Sequence, residues 1–379
     1  MKRVLIISHM GQMIAQFSKE DIEILRKLGF EVHLAANFNS VHNTMTLDAI
    51  GRFKSEMLNK GVFLHQIDFQ RKIGTVKSNY KSWKELMHIL GQSKFELIHC
   101  QSPLGGVFGR ILGHKFNIPV IYTAHGFHFY KGGPLKNWLI YYPVEWALAR
   151  YTDNLITINH EDDKIASKFP CRNHTYIPGV GVDTEKLNNL KKDVSMRKLV
   201  GIPQKSFVIV SVGELSENKN PDIVIRALAN LRDKDIYYVA VGKGPRRAFL
   251  EQLAINEGVA DRVVFPGYSE NPEFYYRIAD ISAFPSRREG LGLAGIEAMA
   301  TGLPLLTTNA GGIADYSVDG ETGFVIKPDD VNLFSDRIRL LKENSEVRER
   351  ISTFNKQKSR EFSIKKVNKI MNRVYSRYM

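Results

Sequence analysis

Short runs of aliphatic and β-branched residues alternate along the chain with longer segments whose apolar positions recur every three or four residues. In the first half, apolar runs at 4–7, 31–35, 64–67, 97–100, 120–122, 154–157 and 174–177 read as strands. The amphipathic stretches 18–27, 78–91 and 138–150 between them read as helices. The pattern pauses at Pro178-Gly179-Val180-Gly181 and then restarts. Strands are predicted at 207–212, 237–241, 263–265, 281–283, 304–307 and 323–326, with helices over 221–231 and 245–257. Strands alternating with helices of about 10–15 residues imply βαβ units and parallel sheets covered on both faces. Two successive halves of this kind predict an α/β chain of two Rossmann-like domains facing a cleft. The expected divisions are 1–178, 179–355 and a final helix over 356–379. In such sheets ligands sit beyond the carboxyl ends of the strands, so the loops that follow strands are where chemistry is expected.

Composition narrows the class. The 379 residues are 43% apolar and 25% charged, enough for two cores and unlike a disordered, collagenous or disulfide-stapled chain. Cys100 and Cys171 are the only cysteines, so neither a disulfide framework nor a four-cysteine zinc site can be built. No stretch approaches the ~18 apolar residues of a membrane span. The five apolar-leaning residues before His9 are too few for a secretory signal core. The expectation is a soluble, cytoplasmic protein. Its net charge of +13 is local: residues 331–379 hold 13 Lys/Arg against 5 Asp/Glu, and residues 50–84 hold 8 against 2.

The most informative stretch runs from Ala283 to Pro304. A strand ends near Ala283, and a loop carrying Glu289, Gly290, Leu291 and Gly292 leads into a helix at about Leu293. Glycines let backbone N–H groups approach an anion, and the helix start adds a favourable dipole. Glu297, one turn into that helix, is placed to accept hydrogen bonds from a vicinal diol such as a ribose, and Glu289 to reach a second polyol. Alone, two glutamates would be solvated surface carboxylates. The agreement of strand, loop, helix and the following Gly302-Leu303-Pro304 argues otherwise.

With these residues the chain resembles the family 4 retaining GT-B glycosyltransferases of bacterial polysaccharide assembly, over nearly its whole length and most strongly from about 207 to 330. Their Glu-x7-Glu motif is matched by Glu289 and Glu297, and their downstream signature by Gly311-Gly312-Ile313-Ala314-Asp315 and Gly320-Glu321-Thr322-Gly323-Phe324. The resemblance implies that Glu297 binds the nucleotide ribose, Glu289 the donor sugar, and the backbone of Gly290, Leu291, Gly292 and Leu293 sugar or phosphate. Val212-Gly213-Glu214-Leu215-Ser216-Glu217-Asn218-Lys219 is similar to the family's diphosphate loop. It assigns Gly213 and Lys219 to the donor, with Glu214 standing where the family has an arginine. Arg246, Arg247, Arg287 or Arg288 are the candidates to replace that charge. Gly242 and Gly244 resemble the nucleotide-base loop. Gly11, in the turn after the first strand, belongs to the implied donor site. That turn lacks Gly-x-Gly-x-x-Gly, which argues against a nicotinamide dehydrogenase. His125, beside Gly126 at a strand end, matches the family's active-site histidine. Asn159 follows another strand, with no role assigned.

The resemblance therefore implies transfer from a nucleoside-diphosphate sugar, UDP by family habit, to a lipid-linked or saccharide acceptor. His125, Lys219 and Glu289 would be catalytic, with no metal or other cofactor. Asp233-Lys234-Asp235 precedes a strand and reads as a loop, not a metal–diphosphate site. The basic and aromatic segment 69–84 reads either as a solvated helix face or as a dock on an anionic membrane surface. The C-terminal stretch 351–378 reads as one basic helix returning to the first domain. Two other readings are weighed: a nucleotide-sugar 2-epimerase of the same architecture, and a basic nucleic-acid-binding protein. The Glu-x7-Glu loop with Lys219 favours transfer. No helix-turn-helix, RNP or zinc-finger pattern supports nucleic acid.

Overall fold

The computed structural model describes residues 1–39, 45–70 and 74–379. It divides into two compact units, Met1–Val180 with Lys365–Met379, and Gly181–Ile364. The first contains a seven-stranded sheet of β1 (Lys2–Met10), β2 (Phe30–Asn37), β3 (Phe63–Gln66), β4 (Leu97–Cys100), β5 (Val120–Ala124), β6 (Asn154–Thr157) and β7 (Asn173–Tyr176). All neighbours are parallel, in the order β3-β2-β1-β4-β5-β6-β7. The second unit carries β8 (Phe207–Val212), β9 (Ile236–Val241), β10 (Val263–Gly267), β11 (Ile281–Phe284), β12 (Leu305–Thr307) and β13 (Gly323–Val325), also parallel, in the order β10-β9-β8-β11-β12-β13. Every predicted strand is present. The inner strands are legible because strands buried on both faces read as unbroken apolar runs: Val4, Leu5, Ile6 and Ile7 are all fully buried.

Strand order reverses between β1 and β4 in the first sheet and between β8 and β11 in the second. At such a switch point the flanking loops diverge and leave a crevice at the carboxyl edge.

Some of the helices that periodicity missed were hidden by glycine or by short length. Pro103–Phe116 is one: Ser102 caps its start, Pro103 opens its first turn, and Asn117 closes it in the left-handed conformation at φ 54°. Its glycines bring it hard against the sheet. A Cβ on Gly109 would lie 2.2 Å from Cys100 Sγ, and one on Gly113 2.2 Å from Val120 Cγ2. The C-terminal stretch is not the single helix expected. Ser345–Ser359 and Ile364–Tyr375 are separate helices, broken where buried Phe362 turns inward and Val182 N–H bonds its carbonyl. The last of them lies in the first unit, where Tyr375 is fully buried and Asn368 donates to Glu20. No described helix is long and apolar enough to cross a membrane.

Candidate functional site

In the second unit, β8 and β11 end side by side at the switch point. Gly213 follows β8, and the loop after it brings Lys219 back over the end of β11. There the Lys219 ammonium forms a 2.5 Å ion pair with Glu289 and sits 5.0 Å from the centroid of the Phe284 ring. Both charged groups stay partly open, with side-chain exposures of 25% and 11%. The two loops are stitched together: Arg287 N–H donates to the Asn218 carbonyl at 2.7 Å, and the Asn218 amide to the Arg288 carbonyl at 2.8 Å.

Gly292 then starts the helix Leu293–Ala300 at φ 87°. A Cβ there would meet the Phe284 ring at 2.6 Å, so only glycine permits both the turn and the packing. Gly311 and Gly312 press on the same loop from the other side, with Gly312 N–H donating to the Glu289 carbonyl at 3.1 Å. Leu291 is buried and anchors the loop, while Gly290 and Leu293 are half-buried. The helix start lends partial positive charge beside Lys219.

Glu297 lies one turn on, its carboxylate accepting from the Tyr276 hydroxyl at 3.0 Å; burial raises its pKa. Tyr276 is a site residue that sequence reasoning missed. It lies 21 positions away, on a helix whose pattern only marks it as apolar core.

Gly242 and Gly244 serve close packing. Cβ atoms on them would lie 1.8 Å from the Gly213 carbonyl oxygen and 2.2 Å from that of Leu215, so the loop after β9 buttresses the one carrying Lys219. Of the candidates to replace the family arginine, Arg287 forms a two-pronged pair with Asp329, and Arg247 bonds Glu251 and the Phe265 carbonyl. Arg246 faces Asp222 at 3.6 Å and keeps a buried Nε with no hydrogen bond.

The first unit's switch point holds a different arrangement. His125, just past β5, is bonded through Nε2 to Gln101 Oε1 at 2.6 Å, and its ring lies tilted against that of Phe17 with centroids 5.2 Å apart. Gln101, just past β4, donates its amide to Asp21 at 3.0 Å and reaches His99 Nε2 at 3.3 Å. His99 Nε2 also meets the Thr123 hydroxyl at 2.8 Å, and its Nδ1 the Tyr375 hydroxyl at 2.8 Å. Burial, with the nearby Asp21 carboxyl, raises the Tyr375 hydroxyl well above its usual pKa.

These partners fix the protons. The Gln101 amide faces the Asp21 carboxyl, so its oxygen faces His125, whose Nε2 must carry the hydrogen; Nδ1 keeps the lone pair. Burial lowers His125 to about 4 and His99 to about 3, so both rings are neutral near pH 7, while burial raises Asp21 to about 7. Gln101, Asp21 and Tyr375 were not foreseen. Gln101 alone left a signal, being the first polar residue after a buried strand.

Gly11, in the turn after β1, opens the helix Gly11–Phe17 beneath Phe38, which a Cβ would approach to 2.4 Å. Asn159 caps the helix His160–Ala166, accepting from Asp162 N–H at 2.8 Å, which accounts for it structurally. Among the described residues no cluster of three or more His, Cys, Asp or Glu could hold a metal ion. Asp233 is paired with Lys342. Of the segment 69–84, Arg71, Lys72 and Ile73 lie outside the described residues, and Lys81 is paired with Asp68.

Residues 194–358 match the family described as glycosyl transferases group 1, and residues 14–174 a glycosyl transferase 4-like domain. The chain is 31% identical to EpsD of Bacillus subtilis (strain 168), over all of this chain and 97% of EpsD. It is 30% identical to the UDP-Gal:alpha-D-GlcNAc-diphosphoundecaprenol alpha-1,3-galactosyltransferase of Escherichia coli, over 70% of each chain. The chain belongs to the group 1 glycosyltransferases. Solved structures agree on its GT-B fold. Sucrose-phosphate synthase from Thermosynechococcus elongatus superposes with a TM-score of 0.81 at 19% identity, covering 100% of this chain and 99% of the other. Anabaena HepE, solved with UDP-glucose, superposes with 0.79 at 19% identity over the whole of both chains. In this glycosyltransferase the matched group 1 segment contains Lys219, Glu289, Glu297 and Tyr276, and the 4-like segment contains Gln101 and His125.

Proposed function

We propose that this glycosyltransferase transfers a hexosyl or N-acetylhexosaminyl group from a UDP-sugar to a lipid-linked or saccharide acceptor in surface polysaccharide assembly, with retention at the anomeric carbon. The observation that carries the reading is the Lys219–Glu289 pair over the glycine-capped start of Leu293–Ala300, at the switch point of the second sheet. The E. coli relative supports it, since its name specifies a UDP-sugar donor and a lipid-diphosphate acceptor.

In this reading the second unit binds the donor and the first the acceptor. Glu297, oriented by Tyr276, accepts from the ribose hydroxyls, and Glu289 from the sugar hydroxyls. As the bond from C1 to the phosphate oxygen breaks, the sugar becomes oxocarbenium-like and negative charge grows on the departing diphosphate. Lys219, Arg246 and the helix start stabilise that charge more strongly in the transition state than in the bound donor. No metal is needed for this, because a lysine and a helix dipole neutralise the leaving group. Neutral His125 offers its Nδ1 lone pair to a sugar hydroxyl. The acceptor's hydroxyl forms the new bond to C1 on the face the diphosphate leaves, and its proton passes to the departing oxygen.

A thermal-shift panel of UDP-, GDP- and dTDP-sugars tests this, since a ligand that binds only the folded state raises its stability by RT ln(1 + [L]/Kd). The expected result is a rise with UDP-sugars; no rise with any nucleotide sugar would overturn the reading.

A further inference from the structure

The helix Leu135–Ala149 is apolar almost all round, a pattern that belongs to a buried helix, yet half of it faces outward. Its inner side is fixed. Glu145, buried, pairs with the buried Arg110 of Pro103–Phe116 at 2.8 Å, and Trp138 and Tyr142 pack on Phe129. That anchoring turns Leu135, Leu139, Ile140, Val144 and Trp146 outward, with exposures of 73, 69, 58, 43 and 36%.

Cations rim this stripe. Lys131, Lys136 and Arg150 are all exposed, and the Arg150 guanidinium lies 4.5 Å from the Trp146 ring centroid. Glu145 is the only carboxylate from 131 to 150, and it is consumed internally. The helix Val76–Gln92 lies on the same side of the sheet, because right-handed crossovers from β3 to β4, β4 to β5 and β5 to β6 place their helices on one face. Trp83 meets Phe108 of the intervening helix at 5.7 Å. That neighbour repeats the device: Tyr80 is 58% exposed, and Lys84 stands over its ring at 4.7 Å.

We infer that this face docks on an anionic membrane, with Leu135–Ala149 lying in the interface plane. An apolar stripe sinks into the acyl boundary, aromatic rings with cations beside them sit at headgroup level, and the absence of exposed carboxylates on the helix removes repulsion from anionic lipid. A second copy of the chain fits less well, because a symmetric contact would bring the rim cations of both copies together. The inference rests on the lipid-linked acceptor reading and deepens it. It places the dock mainly on a helix where sequence reasoning had looked only at 69–84.

Flotation of the full chain with vesicles of phosphatidylglycerol and phosphatidylcholine in equal parts, against phosphatidylcholine alone, tests it. The wild type floats with the anionic vesicles. L139S/I140S binds them about a hundredfold more weakly, about tenfold for each apolar side chain withdrawn. K136E/R150E loses the preference for anionic lipid. Wild-type protein that stays in solution, or L139S/I140S that floats as well as wild type, would overturn the dock. So would a wild-type dimer that L139S/I140S dissociates, which would assign the face to a second copy. UDP-sugar thermal shifts on the same samples separate the two readings: flotation without a shift leaves the dock and removes the donor, and a shift without flotation does the reverse.

Discussion

At the carboxyl edge of the first sheet, the polar side chains are buried apart from the half-buried His125 and bonded to one another; at that of the second they are charged, partly open and set in glycine backbone. His125, Gln101, Asp21, His99, Tyr375 and Thr123 form a linked set in which Gln101 sets the His125 tautomer. Lys219 and Glu289 have chiefly each other, and the backbone around them is shaped by Gly292, Gly311 and Gly312. Both edges arise from the same topology, so the fold alone does not dictate the chemistry. A buried network satisfied internally holds one ring in one tautomer. An open ion pair can exchange partners with a ligand that brings its own charge and hydroxyls. In the proposed function the first edge orients and the second binds.

Breaking the second edge gives the largest effect. Lys219→Ala should lower kcat/KM by ~10²–10³, about 3–4 kcal/mol, as removal of one donor to a developing negative charge does. Steady-state transfer assays within fivefold of wild type would remove Lys219 from the reaction. The first edge should give less. His125→Ala withdraws one oriented hydrogen bond and should lower kcat by ~10–100-fold, about 1.5–3 kcal/mol. Its affinity for UDP, measured alongside, should stay at the wild-type value. A matching loss of UDP affinity would mean that the two edges do not divide the work in this way.

The comparison also shows why parts of the chain were legible. Strands were, because residues such as Val4–Ile7 and Phe207–Val210 are apolar on both faces. The second edge was, because Glu289, Gly292 and Glu297 lie within one short stretch whose spacing follows from strand, loop and helix. The first edge was legible only at His125. Its supports come from positions 21, 99, 101 and 375, brought together by tertiary packing with no local spacing to reveal them. Tyr276 escaped for the same reason. The unity of the C-terminal helix was misread because the basic periodicity runs on through 360–363, while the buried Phe362 breaks it. The outward stripe of Leu135–Ala149 was invisible because composition cannot tell which side of an apolar helix meets the sheet.

Calorimetric titration of UDP into the wild type and Glu297→Ala tests the division most directly. The wild type is expected to bind and the variant to bind ~10–100-fold more weakly, the loss of a charged hydrogen bond to a hydroxyl pair. Wild-type affinity in Glu297→Ala would contradict it.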